Sequence, residues 1–189
     1  MILCDFIIPT YNRREPLISM LSSLVAQTNP NWVAHVIQDG IDNDVSFKVV
    51  KNINDSRIHY YATEERYNDW GHTPREMGKN NSEAKYVIMS GDDNYYIPTF
   101  INELTIASET NPGMIYWDMV HSHYKYSYFK CLPAFNQIDM GAFATRTDLA
   151  KQIKLGTSYA ADGTFVEDFK KKFPDEKIKK IEKVLFIHN

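Results

Sequence analysis

The first hundred residues alternate short apolar runs with stretches of helical periodicity, and that alternation leaves few folds open. Leu3 to Ile8 is an apolar run that stops at Pro9, consistent with a buried strand. After Tyr11-Asn12-Arg13 a helix is expected, with Pro16 in its first turn, where a missing N–H costs least. Leu17, Met20, Leu21, Leu24 and Val25 then recur at helical spacing and form one apolar stripe. Asn29-Pro30-Asn31 breaks the helix, and Trp32 to Gln38 reads as a second strand ending at the turn pair Asp39-Gly40. A helix over Val45 to Ile53, a strand over Ile58 to Ala62 and a helix over Arg75 to Glu83 follow. The strand Tyr86 to Met89 runs directly into Ser90-Gly91-Asp92-Asp93. Pro98 opens a further helix with Phe100, Ile101, Leu104 and Ala107 on one face.

Strands alternating with amphipathic helices imply an α/β fold, a mostly parallel central sheet flanked by helices. In such sheets ligands gather at the carboxyl ends of the strands. That rule selects Pro9-Thr10-Tyr11, Asp39-Gly40 and Gly91-Asp92-Asp93 as parts of one pocket. The second half is less regular. Strands are expected over Met114 to Trp117, Tyr124 to Phe129 and Ile181 to Ile187, and helices over Arg146 to Ile153 and Thr164 to Lys172. The Lys-rich run from Lys170 to Lys183 carries interleaved acids and reads as a solvated face.

A length of 189 residues suits a single domain with a real core. With 21 basic and 24 acidic residues, the chain has no cationic excess with which to hold nucleic acid. Cys4 and Cys131 are the only cysteines and lack metal-type spacing, and Cys4 reads as a small buried hydrophobe. The N-terminal residues from Met1 to Asp5 lack the features of a signal peptide, and no integral membrane segment is visible. A cytoplasmic enzyme is the simplest expectation.

Phe6-Ile7-Ile8-Pro9-Thr10-Tyr11-Asn12-Arg13, then Asp39-Gly40, then Gly91-Asp92-Asp93-Asn94, resembles the family 2 glycosyltransferases and their GT-A fold. The resemblance covers most of the first hundred residues and implies a Rossmann-like domain over residues 1–189. It further implies a nucleotide-sugar-binding half at 1–96 and an acceptor-side half at 97–189. The implied reaction transfers a hexose from a UDP-sugar donor to a carbohydrate or other hydroxyl acceptor, with Mn²⁺ or Mg²⁺. The physical reason for the acidic pair is independent of the family. Negative charge builds on the leaving diphosphate, and a carboxylate-held divalent cation neutralises it. The family's Asp-x-Asp pattern is incomplete here, since Ser90 and Gly91 precede the pair. Asp93 is therefore expected as the main metal ligand, with Asp92 on ribose or on metal-bound water. The same Gly-Asp-Asp-Asn is also good turn chemistry.

The other assignments follow the resemblance residue by residue. His188, at the end of the last apolar run, matches a C-terminal His that completes the metal site. Asp39 would accept the uracil N3–H, although Asp-Gly is also an ordinary turn. Pro9, Thr10 and Tyr11 would wall the base and ribose, and Arg13 would contact phosphate or stand exposed. Asn68 to Gly78 resembles the family's Gly-rich segment, with Arg75 carried over as the diphosphate contact and Glu76 where Asn is usual. Trp70 and His72 would border the donor. For the general base the candidates are Asp162, Asp139 and Glu167-Asp168; Asp162 is the first choice, and it also suits a helix cap. Asp139, beside Met140-Gly141, would contact the donor sugar. Trp117 and Asp118 offer a ring face and a carboxylate to a sugar, with core packing as the competing role for Trp117. The second half is short for the family, which leaves room for a homo-oligomer whose other subunit completes the acceptor platform. The rival classes are a nucleotide-sugar-binding module without catalysis and a metal-dependent nucleotidyltransferase. Against the latter, Pro9-Thr10-Tyr11-Asn12 contains no glycine.

Overall fold

The apolar runs of the first half pair in parallel. The computed structural model describes residues 2–41 and 44–189; Met1, at the head of the N-terminal stretch read above, lies outside them, as do Asp42 and Asn43. Strands β1 (Cys4–Thr10), β2 (Trp32–Gln38), β3 (Ile58–Ala62) and β4 (Tyr86–Met89) lie in the order β3-β2-β1-β4. Helices α1 (Arg14–Val25), α2 (Val45–Ile53) and α3 (His72–Asn81) form the crossovers between them. Thr10 pairs with Gln38 and Ile7 with Met89, so the carboxyl ends of β1, β2 and β4 share one rim of the sheet.

The α1 stripe buries Leu17, Met20, Leu21 and Leu24, but Val25 is exposed because the helix has rotated it off the buried face by its last residue. Helix α3 begins three residues before the expected Arg75. Asp69 Oδ2 accepts from the Thr73 amide and hydroxyl, which satisfies donors of the first turn. Gly78 lets α3 lie against the sheet, since a Cβ there would stand 2.4 Å from Ile7 Cγ2.

The second half departs from a mostly parallel sheet. It contributes β5 (Tyr95–Tyr96), α4 (Phe100–Ser108), β6 (Met114–His121), β7 (Ser127–Phe129), β8 (Phe143–Arg146), α5 (Thr147–Ala150), α6 (Ala161–Lys172) and β9 (Ile178–His188). The full order is β3-β2-β1-β4-β8-β6-β9-β5, with β7 on β6. Only β6 and β9 are parallel there; β8 runs antiparallel to β4 and β6, and β5 antiparallel to β9. The expected helix over Arg146 to Ile153 is thus the end of a strand followed by the short α5.

The expected solvated Lys-rich run is also half wrong. Its second part is β9, where Lys180 is mostly buried and pairs with Asp118 at 2.9 Å. Asp118 is spent on structure, because it also accepts from the Cys131 amide and the Tyr128 hydroxyl. Trp117 is fully buried beside Phe100, ring centroids 4.7 Å apart, so neither residue faces a sugar. Tyr96 and Phe186 extend this aromatic cluster to Phe6 and join the two halves of the chain across the core. Both cysteines are buried and free. Among the described residues no helix is long and apolar enough to cross a membrane.

Candidate active site

Apart from Trp117 and Asp118 inside β6 and Glu167 and Asp168 inside α6, the site residues expected from the sequence lie at a strand end, a helix start or the adjoining loops. The first group surrounds Asp92. Its carboxylate accepts the Thr10 hydroxyl at 2.6 Å and Arg13 Nη1 at 3.0 Å, and Arg13 Nη2 reaches Asp93 at 2.9 Å. Arg13 is about half exposed and bridges the two acids. Burial lowers the pKa of its guanidinium, but Asp92 and Asp93 outweigh that and raise it. Burial raises the Asp92 carboxyl above the usual carboxylate range, opposed by Thr10 and Arg13.

Asp39 anchors the neighbouring loop. Its two oxygens accept the Tyr67 and Asn68 amides at 2.8 and 3.0 Å. Tyr11 is covered by the Arg66 guanidinium, whose carbon stands 3.6 Å from the ring centroid. Pro9 packs on Gly71, where a Cβ would approach to 2.6 Å and where φ is +79°, so glycine suits both the contact and the turn.

The second group lines a cavity of about 420 Å³ whose walls include Arg75, Asp139, Asp162 and His188. Arg75 is buried at the start of α3 and donates to the Ser90 carbonyl at 3.1 Å and the Trp70 carbonyl at 2.8 Å. Burial lowers its pKa, and the surrounding Asp139, Asp92 and Asp93 oppose that fall. Asp139 accepts the Gly141 amide at 2.8 Å and stands 3.6 Å from His188 Nε2. Asp162 lies in the first turn of α6, where a carboxylate is favoured by the helix dipole. Burial, reinforced by Asp139 and opposed by the Gly163 amide, pushes its carboxyl up to about 6. Glu167 reaches the Phe135 amide and Lys170, and Asp168 is exposed on the same helix. His72 is buried, and burial together with nearby Arg75 lowers its pKa, opposed by Asp69 and the Ser158 backbone.

β9 runs longer than its apolar core and delivers His188 in register with His121 of β6. The two imidazoles stack at 4.1 Å, with His123 at 5.5 Å from His188. Burial and the neighbouring His188 push His121 down to about 4, so it is neutral at physiological pH. β5 pairs with the same end of β9, and the Asn189 amide reaches the Asn94 side chain at 3.4 Å. That pairing brings the Asp92–Asp93 loop and the His188 terminus to one rim. No three His, Cys, Asp or Glu side chains among the described residues form a preformed metal cage.

The sequence reading missed Arg66, His121, His123 and Tyr159. The His-Ser-His spacing at 121–123 was a usable signal, because alternate residues at a strand end share a face. Arg66 and Tyr159 sit in polar loops without periodicity and carried none.

Solved structures with this architecture are glycosyltransferases of the GT-A fold. S. aureus TarS 1–349 superposes with a TM-score of 0.82 at 16% identity, covering 99% of this chain and 60% of that one. Its complex with UDP-GlcNAc gives 0.79 at 16% identity, covering 98% and 58%. The mannosyltransferase PcManGT from Pyrobaculum calidifontis, solved with GDP-Man and Mn²⁺, gives 0.74 at 13%, covering 98% and 56%. The family assignment is independent of these. The model of glycosyl transferase family 2 matches residues 5–166, and the chain belongs to that family. Uncharacterized glycosyltransferases of Rickettsia conorii and Rickettsia felis are 30% identical over 106 residues, 56% of this chain. The chain spans 17% of the length of those relatives.

Proposed function

We propose that this glycosyltransferase moves a hexose from a UDP-sugar to a hydroxyl acceptor, with a divalent cation at the donor diphosphate. The observation that carries the reading is the gathering of Arg75, Asp139, Asp162 and His188 around one cavity beside the Asp92–Asp93 loop. Residues 1–96 form the donor half and 97–189 the acceptor half. Asp39 receives the base N–H on lone pairs that the Tyr67 and Asn68 amides leave free. Thr10 and Tyr11 flank the nucleoside. Arg75 keeps three N–H donors beyond those bound to Ser90 and Trp70, and directs them at the diphosphate.

The donor set fits Mn²⁺ or Mg²⁺. Asp93 commits one oxygen to Arg13 and Asp92 is only partly neutralised, so hard oxygen ligands are at hand, with the His188 imidazole on the same rim. When bound, the cation stabilises negative charge on the leaving diphosphate. Asp139 holds hydroxyls of the donor sugar, and Asp162 acts as general base. The acceptor oxygen attacks the anomeric carbon, the bond to the diphosphate oxygen breaks with its electron pair leaving on UDP, and the hydroxyl proton passes to Asp162. A carboxyl raised to about 6 is ionised at neutral pH yet more basic than an ordinary carboxylate.

The test is calorimetric binding of UDP-sugars with Mn²⁺ and with EDTA, with GDP and UDP as competitors for the base assignment. Metal-dependent binding of UDP-sugar that Asp93→Ala abolishes is expected. Equal binding in EDTA sinks the metal assignment, and stronger competition by GDP sinks the uridine one. UDP release by the wild type but not by Asp162→Asn is the expected signature of catalysis; no turnover with any donor favours a binding module.

A further inference from the structure

Of the three tryptophans, Trp32 and Trp117 are fully buried, whereas Trp70 is 65% exposed. Its backbone is also strained, with φ at +59°, a left-handed conformation that a residue of this bulk seldom adopts. Neighbouring Asn68 and Gly71 share positive φ. The turn is held on both sides: Asp39 binds the Tyr67 and Asn68 amides, and Arg75 binds the Trp70 carbonyl at 2.8 Å. So much constraint on an indole that gains little burial has no payoff in core packing. Strain that the surroundings over-determine concentrates at ligand sites.

Tyr159 completes the picture from the loop before α6. It is 76% exposed and meets Trp70 edge-on, ring centroids 6.4 Å apart. Both rings border the cavity that holds Asp139 and Asp162. The cavity lining thus combines aromatic rings with hydroxyl-accepting carboxylates. A pyranose ring has the matching polarity, with C–H groups on its faces and hydroxyls around its rim. Asp139 and Asp162 disfavour an anionic sugar beside them, and Arg75, the guanidinium of this lining, is taken by the donor diphosphate in the reading above.

We propose that Trp70 and Tyr159 form an acceptor subsite that takes the apolar face of a neutral pyranose and turns one of its hydroxyls toward Asp162. The acceptor class is therefore a saccharide. The catalytic part of this assignment rests on the reading of Asp162 as base, but the subsite itself is testable without turnover. Trp70 is the solvent-accessible tryptophan, so acrylamide-quenchable emission reports on it, and Trp70→Phe should remove that component.

The probes are methyl glucoside, methyl galactoside and methyl N-acetylglucosaminide at millimolar concentration. Sorbitol serves as the open-chain control and methyl glucuronide as the anionic one. Neutral pyranosides should protect Trp70 from acrylamide, with weaker protection by glucuronide and none by sorbitol. Tyr159→Ala should weaken the pyranoside response about fivefold with an unchanged melting temperature, because the side chain is exposed. Equal responses to sorbitol and pyranosides, or tighter binding of glucuronide, overturn the proposal. A protein that binds UDP-sugar but responds to no pyranoside refutes the subsite and leaves the donor reading intact. The reverse result refutes the donor reading and supports the subsite.

Discussion

As the proposed general base, Asp162 carries opposite demands for stability and for catalysis. Its carboxyl rises from 3.8 to about 6 chiefly because the folded protein buries it. A carboxyl with a raised native pKa contributes stability that is full below pH 3.8 and is lost as pH climbs through about 6. As general base it works only when ionised, so kcat/KM should climb over the same interval and level off above it. The rise corresponds to at most about 3 kcal/mol, which solvent at the cavity mouth reduces to about 1–2 kcal/mol. Asp162→Asn should therefore abolish transfer while raising stability above pH 6, read from denaturant midpoints at pH 5 and pH 8. A variant equally destabilised at both pH values would instead mark Asp162 as a structural cap. Arg13 gives a second residue-scale expectation. It neutralises the carboxylates proposed for the metal, so Arg13→Gln should bind Mn²⁺ several-fold more tightly without nucleotide, as measured by titration calorimetry. Weaker binding would show that Arg13 positions the acids. No sequence pattern announced this pairing, because it joins a helix N-terminus to a loop about eighty residues away.

Glu76 shows why an element can be legible while its job is not. It stands where the family resemblance expects Asn, and its carboxylate accepts from buried Lys79 at 2.8 Å and from the Leu155 amide at 2.9 Å. Lys79 in turn binds the Ile153 carbonyl. Helix α3, which carries Arg75, is thereby tied to the segment leading toward Tyr159 and Asp162. Glu76→Ala should cost about 3 kcal/mol, because it strands a buried ammonium. The double variant Glu76→Gln/Lys79→Met should recover most of that loss, since it removes the charge and keeps the Leu155 acceptor. Denaturant unfolding of the three proteins decides; a double variant as destabilised as Glu76→Ala would mean that the stranded charge is not the source of the loss. The crossover helices and parallel strands were readable because each has its own apolar period and turn residues. β5 and β8 were not, since two and four residues hold strand geometry only through neighbours distant in sequence. β9 was read from Ile181 onward, but its first residues hid in a Lys-rich run for a related reason: Lys180 is tolerated inside by Asp118, a partner the local pattern cannot supply.

The whole molecule works by closing a regular parallel half against an irregular mixed one, and Phe186 sits at that closure. It packs on Tyr96 with ring centroids 5.1 Å apart and leaves room only for glycine at position 141, where a Cβ would lie 2.6 Å from its ring. Tyr96 adds hydrogen bonds to the Gly141 carbonyl at 2.8 Å and to Ser90 Oγ at 3.1 Å. One side chain from the last strand therefore registers the Asp92–Asp93 loop against the Asp139 turn. The sequence located both ends of this link, at Asp92–Asp93 and at His188, but not the aromatic joint between them. Phe186→Ala should cost about 3–5 kcal/mol as an unfilled core cavity. The loss should fall unevenly. Hydrogen exchange should rise most at residues 90–96, 139–142 and 184–188, and least in β1 and β2, whose parallel pairing Phe186 does not touch. On the proposed donor reading, UDP-sugar affinity should fall with it, because the Asp92–Asp93 loop loses its support. Uniform acceleration across all strands would show instead that the two halves unfold as one unit, with no separable joint between them.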